Sequence, residues 1–371
     1  MSSLAEEISS LEPALRERLE SRGFRDETLL ALASTLGGDP VARNRLRGVV
    51  EPVPESRLAL PVDTREARAL GRRELESGRV AACVLAGGMA TRMGGVVKAL
   101  VEVLPGVTFL DARLAEVRAL RAQGVEVPLW LMTSEATNRA IGRALGERPD
   151  SSSLARTFEQ FSSLRLEPSG RLFRIAGEPS PYATGHGDLV DALRASGLLR
   201  AFVAGGGRHL WISNLDNVGV TVDEALLGHH VASGAKLTAE LVERRPGDSG
   251  GGPVLLDGRP IITELFRLPR ELDSAQIPVF NTNSFLVDAV ALEAAQVSWT
   301  YLEVHKDVDG RVAVQFERLL GELTTALDTR FVRVPRDGLA SRFLPVKTAR
   351  DLGHVEAVLR ARWVGDGLTP R

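Results

Sequence analysis

The sequence predicts an α/β fold: a mixed, mainly parallel central sheet covered by helices, preceded by an N-terminal helical region and followed by a short C-terminal α/β extension. Three observations predict it. The apolar run Val80 to Val84 has the length and composition of a buried strand, and it empties into the glycine-rich stretch Leu85-Ala86-Gly87-Gly88-Met89-Ala90-Thr91-Arg92-Met93-Gly94-Gly95-Val96-Val97-Lys98. Phe109 to Gln123 reads as an amphipathic helix stopped by Gly124, and Val127 to Met132 is a second apolar run, so strand, helix and strand alternate. A third run, His209 to Ser213, ends in Asn214-Leu215-Asp216-Asn217, which puts a carboxylate at the end of a central strand.

Composition narrows the function. The 371 residues are 44% hydrophobic and 25% charged, with a formal net charge of −2, which is the profile of a soluble globule rather than of a general nucleic-acid binder. No apolar run is long enough to span a bilayer, and the start of the chain carries Glu6 and Glu7 in place of an apolar signal core, so a cytoplasmic protein is expected. The single cysteine, Cys83, falls inside the first predicted strand and reads as packing. Lys and Arg together number 46, and only Lys98, Lys236, Lys306 and Lys347 are lysines. A chain this rich in arginine keeps lysine where a compact point charge is wanted. The expected division is a helical region over 1–76, a catalytic domain over 77–328 and an extension over 329–371.

Leu4, Ile8, Leu11, Leu15 and Leu19 form one apolar stripe at helical spacing, and Asp39-Pro40 and Asp63 with Glu66 read as helix starts. Nothing in this region carries chemistry, so it is expected to pack or orient. In the loop after Val84, paired glycines let backbone N–H groups approach a phosphate, and Arg92 and Lys98 add full charge. It matches neither the Walker P-loop nor the dinucleotide fingerprint.

Further along, Met132-Thr133-Ser134 closes the second strand, and Ser134 reads equally well as an ordinary helix cap. Gln160 can donate and accept at once, as an imide edge requires, although a lone glutamine is more often a surface residue. Gly185-His186-Gly187-Asp188 precedes a helix from Leu189 to Ser196, whose N-terminus offers N–H groups to an anion; a helix-cap neighbour is the plain alternative. Asp216 suits Mg²⁺, which takes one or two carboxylates plus phosphate oxygens, or it is an Asx-turn residue.

Lys236 to Glu243 reads as a strand. Val254 to Ile262 reads as a hairpin turning on Asp257-Gly258, with Glu264 just beyond. Asn281 and Asn283, in Phe280-Asn281-Thr282-Asn283, suit neutral hydroxyls or a turn. Lys306 is expected in a loop before a segment from Val312 to Leu327 that contains Gln315-Phe316-Glu317. The last motif is Arg342-Phe343-Leu344-Pro345-Val346-Lys347.

In order and spacing, these motifs resemble the UTP–glucose-1-phosphate uridylyltransferase family, a branch of the sugar-nucleotide pyrophosphorylases. The correspondences are G-G-x-x-T-x-M-G ending in lysine, M-x-S, F-x-Q, G-H-G-D, N-x-D-N, F-N-T-N, a Q-x-E helix and R-F-L-P-V-K, from Val80 to about Leu359. The resemblance implies a Rossmann-like nucleotidyltransferase (GT-A-like) domain; larger relatives continue into a left-handed β-helix, which is not expected here. It implies that UTP and glucose 1-phosphate give UDP-glucose and pyrophosphate with Mg²⁺ as cofactor.

The implied substrate contacts are Leu85, Ala86, Gly87, Gly88, Met132, Gln160 (uracil), Gly185, His186, Asn214, Leu215, Asp216, Glu264, Asn281 and Asn283 (sugar hydroxyls). Asp216 is the implied metal ligand. Lys306, over the α-phosphate, acts with Lys98 and Arg92. The expected partners are UTP and a sugar 1-phosphate, with no nucleic acid or membrane, and the chain a monomer or weak oligomer.

Three positions depart from the pattern. Ala90 replaces a loop glycine, Val97 replaces a proline before the lysine, and Gly250, in Asp248-Ser249-Gly250-Gly251-Gly252, replaces a basic residue. The competing expectations are an N-acetylglucosamine-1-phosphate uridylyltransferase or broad-range enzyme, and a non-catalytic nucleotide-sugar sensor on the same fold.

Overall fold

The structure, a computed structural model, describes residues 3–60, 63–248 and 250–365, and for Arg92 and residues 363–365 the backbone alone. Eight strands form the central sheet: β1 (Leu58–Ala59), β2 (Val80–Leu85), β3 (Leu129–Thr133), β4 (Ala155–Glu159), β5 (His209–Asn214), β6 (Leu237–Glu243), β7 (Val279–Asp288) and β8 (Thr329–Arg333). Their spatial order is β1-β8-β6-β7-β5-β2-β3-β4. Every neighbouring pair is parallel except the two that β7 makes.

The central strands read as unbroken apolar runs because both faces are covered. Along β2, Val84 joins a cluster with Leu110, Leu114, Val117 and Ile141, from helices Phe109–Ala122 and Glu135–Gly146. Its neighbour Cys83 points the other way, into a cluster with Leu189, Val190, Leu193 and Leu199. Burial pushes the Cys83 thiol far above its ordinary pKa, which leaves it inert packing, as expected.

Strand register lines up the residues that matter. Leu85, at the end of β2, pairs with Asn214 on one side and Met132 on the other, and Thr133 pairs with Glu159 at the end of β4. The chain leaves β2 towards β3 and β4 and returns to β5 on the opposite side, so a crevice opens beyond the carboxyl ends of β2 and β5. The hairpin at Asp257-Gly258 forms as expected, both residues having positive φ, 50° and 78°.

Four expectations need correction. The N-terminal region is not wholly helical: Val50–Pro52 pairs with Gly252–Leu256, and β1 lies at the edge of the central sheet beside β8. Strands this short have no periodicity, and only a partner elsewhere in the chain defines them. The helix Arg65–Glu76 also belongs to the core. An added Cβ at Gly71 would stand 1.9 Å from the Glu224 carbonyl oxygen, and one at Gly228 would stand 1.8 Å from that of Ala67, so two helices touch backbone to backbone.

The stretch from 329 is not simply an appendage either, because β8 pairs with β6 inside the sheet. Finally, Lys306 is not in a loop and Gln315-Phe316-Glu317 is not helical. Leu302–Val308 and Arg311–Glu317 form an antiparallel hairpin. Its turn is Asp309-Gly310, φ 51° and 73°, the same dipeptide as at 257–258.

Helices Leu4–Ser9, Pro13–Glu20 and Asp26–Ala33 lay Ile8, Leu11, Leu15, Leu19 and Leu29 on Leu164, Leu166, Val314 and Phe316. They therefore brace the Lys306 hairpin from behind. No helix among the described residues is long and apolar enough to cross a membrane.

Candidate active site

The crevice beyond β2 and β5 is a cleft of about 300 Å³. Its walls are Leu85, Gly87, Gly88, Lys98, Met132, Gln160, Gly185, His186, Asn214, Leu215 and Asp216. Ala86 is buried beneath, its N–H donated to the Met132 carbonyl at 2.7 Å. A narrower recess shares His186 and is lined by Glu264, Asn281 and Asn283 with Thr263, Gly321 and Glu322.

Two expected site residues remain to be placed. The side chain of Arg92 lies outside the described residues; its backbone belongs to the turn Thr91–Met93. Lys306 lies on the hairpin Leu302–Val308, half exposed, 3.6 Å from the Glu317 carboxylate. Lys306 is not among the residues that line the cleft or the recess.

The glycine loop is itself a small hairpin. Met89–Ala90 pairs with Val96–Val97, and Gly94 and Gly95 turn it at φ 89° and 72°. Two departures are absorbed here. Ala90 has φ −82°, open to any residue, and Val97 has φ −61°, the value a proline would impose.

Gly87 packs so closely that an added Cβ would lie 3.1 Å from Gln160 Oε1. Ser134 Oγ donates to the Gly87 carbonyl at 2.8 Å and Thr137 Oγ1 to that of Ala86 at 3.2 Å. Ser134 thus caps helix Glu135–Gly146 and also pins the loop, and the sequence suggested only the first role on its own residues. The third departure has a different outcome. An added Cβ at Gly250 would stand 2.5 Å from the Phe280 ring, which fills that place, and Arg244 stacks 5.5 Å from the same ring.

Gly185-His186-Gly187-Asp188 is not an open anion nest. Cβ atoms at Gly185 and Gly187 would stand 2.5 and 2.7 Å from the Arg318 backbone, and the Gly187 N–H already donates to the Arg318 carbonyl. The pattern clamps His186 instead. His186 Nδ1 accepts the Leu320 N–H at 2.9 Å, which puts the ring hydrogen on Nε2. Burial lowers its pKa to about 4, so near neutrality the ring is an uncharged donor. Burial pushes Asp188 up to about 6 against the pull of Arg318 and Thr184.

The charged centre is Lys98 with Asp216. Lys98 Nζ donates to Asp216 Oδ2 at 2.8 Å, both side chains being largely shielded. Arg113, which the sequence reading passed over as an ordinary helix residue, donates to the carbonyls of Asn214, Asn217 and Val220 and fixes this turn. Among the described residues no group of three His, Cys, Asp or Glu could hold a metal. The donor set fits Mg²⁺ only as one carboxylate, Asp216, completed by ligand oxygens.

In the narrower recess, Asn283 adopts φ 57° at the irregularity where β7 slips against β6. Its N–H donates to Asn281 Oδ1 and its Nδ2 to Asn214 Oδ1 at 2.8 Å. Burial raises the Glu264 carboxyl, while the Gly251 N–H and the charges of Arg244, Arg267 and Lys347 act to lower it. Lys347 is absent from the predicted contacts although its motif and rarity both marked it.

A family model described as UTP–glucose-1-phosphate uridylyltransferase matches residues 49–361. The chain is similar to the UTP–glucose-1-phosphate uridylyltransferases of Saccharomyces cerevisiae, 32% identical over 74% of this chain and 58% of that one, and of Solanum tuberosum, 32% over 74% and 60%. It spans about three fifths of the length of these relatives. In fold it is similar to a point mutant of the UDP-glucose pyrophosphorylase from Leishmania major solved with UDP-glucose: TM-score 0.70, 23% identity, covering 95% of this chain and 78% of that one. The UDP-glucose phosphorylase from Trypanosoma brucei gives 0.70 and 23% over 91% and 76%.

Proposed function

The chain belongs to the UTP–glucose-1-phosphate uridylyltransferase family, and on that premise we propose that it converts UTP and glucose 1-phosphate to UDP-glucose and pyrophosphate. The observation that carries this reading is the Lys98–Asp216 pair on the floor of a cleft that also gathers Gly87, Gly88, Gln160 and His186.

A phosphate oxygen of glucose 1-phosphate attacks the α-phosphorus of UTP. The new P–O bond forms as the bond to the β-phosphate bridge breaks, and the electron pair leaves on pyrophosphate. The nucleophile is already ionised, so no general base is needed. The difficulty is bringing two polyanions into line, and positioning of this kind supplies roughly 7–11 kcal/mol.

Gln160, beside Gly87, pairs with the uracil edge. His186 donates from Nε2 to ribose or phosphate oxygens. The Gly87–Gly88 backbone and Lys98 take the β and γ phosphates. Asn281, Asn283 and Glu264 take the sugar hydroxyls. Asp216 would hold Mg²⁺, which when bound neutralises triphosphate charge. Lys306 reaches the α-phosphate if the hairpin 302–317 swings inward, and Arg92 supplements the loop. On this reading the reaction is cytoplasmic and the chain a monomer or weak oligomer.

Pyrophosphate release with UTP and a panel of sugar 1-phosphates tests it. Release is expected with glucose 1-phosphate. Preference for the N-acetylglucosamine ester would move the chain to the neighbouring specificity, which the curated relatives' names support less. Nucleotide binding without release would leave a sensor.

A further inference from the structure

The turn that carries Asp216 is held from one side by Arg113, on the carbonyls of Asn214, Asn217 and Val220, and by the Asn217 N–H on the Asn214 carbonyl at 3.3 Å. After Asn214 the chain leaves β5, and the Leu215 N–H reaches only the Leu85 carbonyl at 3.3 Å. A remote segment supplies the rest. Residues 342–346 run across the back of the turn as a strap. The Val346 N–H donates to the Asp216 carbonyl at 2.9 Å, and the Val218 N–H to that of Leu344.

Asn217 fastens this strap. Its side chain is 1% exposed. Nδ2 donates to the Arg342 carbonyl at 3.0 Å, and Oδ1 accepts the Leu344 N–H at 2.8 Å and the Gly219 N–H at 3.3 Å. Gly219 makes room: a Cβ there would stand 2.9 Å from Arg342 C and Leu344 N. At its other end the strap is anchored by Arg342, which donates to both oxygens of the buried Glu240 carboxylate and stacks 5.2 Å from Trp211.

We propose that Asn217 is a positioning residue: its buried amide clips the 342–346 strap to the turn and thereby fixes the Asp216 carboxylate against Lys98. A primary amide suits the task because it donates and accepts from one rigid plane, so it grips a carbonyl and an N–H of the same extended segment. An aspartate would keep the acceptor, lose the donor and bury a charge. The strap's two backbone bonds, at Asp216 and Val218, bridge Asn217 to Pro345, and the Asn217 side chain adds a second grip at Arg342 and Leu344. The first five residues of R-F-L-P-V-K are thus a brace for the carboxylate.

The inference rests on the catalytic reading above. Its test is steady-state kinetics of Asn217→Ala with UTP and glucose 1-phosphate, beside amide hydrogen exchange. A displacement of about 1 Å at the carboxylate lowers kcat about 10²-fold, while KM for glucose 1-phosphate stays within about twofold because that side of the cleft is untouched. The Leu344 and Val346 amides exchange faster, and those of β5 keep their protection. Asn217→Asp falls between parent and Asn217→Ala.

A kcat equal to the parent's, with exchange at Leu344 and Val346 accelerated, overturns the proposal, because the strap would then be free without consequence for the site. Should Asn217→Ala not fold, Gly219→Ala presses on the same strap without removing the amide, and a parental kcat there overturns it equally. An unmodified chain that releases no pyrophosphate overturns the catalytic reading. An active parent with an indifferent Asn217→Ala overturns only this inference.

Discussion

Lys98 Nζ lies 2.8 Å from Asp216 Oδ2, although 118 positions separate the two residues in the chain. The parallel pairing of β2 with β5 brings them together, since both follow strand ends in register. The ammonium covers one carboxylate oxygen, and each group holds the other where a triphosphate would lie.

The pair makes opposite predictions for its two members. Asp216→Asn leaves Lys98 without its anion, so kcat falls by roughly 10²–10³-fold while UTP binding without added metal is kept or tightened. Lys98→Met leaves a bare carboxylate facing the triphosphate, so KM for UTP rises. Equal effects of the two changes on UTP binding would show that they do not face the same phosphates.

On the proposed function, Lys306 and Lys347 are the two candidates for the cation over the α-phosphate. Lys306→Ala is expected to lower turnover far more than it weakens UTP binding. If turnover survives that change and fails in Lys347→Ala, the cation is Lys347, whose charge already acts on Glu264 in the recess beside the cleft.

Gly185→Ala should unfold at a lower temperature. Gly185 has φ 100°, and the new Cβ would stand 2.5 Å from the Arg318 carbonyl oxygen. Strain and overpacking together amount to about 2–4 kcal/mol. Gly88→Ala, with open space around its Cβ, is the control, and similar melting curves for the two would contradict the clamp.

Stability should fall in mild acid. Burial depresses His186 to about 4 and His230 to about 3 from an ordinary value of 6.5. Below pH 6.5 the unfolded chain therefore binds protons that the folded chain refuses. The contribution is intact above 6.5 and drains away as pH falls towards 3. Denaturant midpoints measured from pH 7.5 to 4.5 should decline, and His230→Gln should flatten the decline. His230 sits far from the cleft, its Nδ1 against Thr238 Oγ1, so activity at neutral pH should change little.

Much of the cleft was legible because its residues sit in short, contiguous motifs at strand ends. Leu85, Met132 and Asn214 each close an apolar run, and parallel strands place such ends on one side of a sheet, whereas Gln160 follows the mixed strand Ala155–Glu159 and was marked by the family resemblance. The Lys306 segment differs from its expected loop and helix although the signal was present, since Asp309-Gly310 marks a hairpin as plainly as Asp257-Gly258 does. Arg113, Asn217 and Arg318 had no such signal. Their role comes from carbonyls and carboxylates far along the chain, and an arginine in an arginine-rich sequence does not announce burial.

By itself the sequence determined the strand–helix alternation, the glycine-rich loop after β2 and most of the residues that line the cleft. These are properties of local hydrophobic pattern and side-chain chemistry. The tertiary structure alone decided that His186 is a clamped neutral donor, that Asp216 is paired with Lys98, that two residues of the N-terminal region close the edge of the sheet, and that residues 342–346 brace a turn more than a hundred positions earlier. Those facts depend on which backbone groups are left unpaired once the sheet has formed, and that is settled only when distant segments compete to satisfy them.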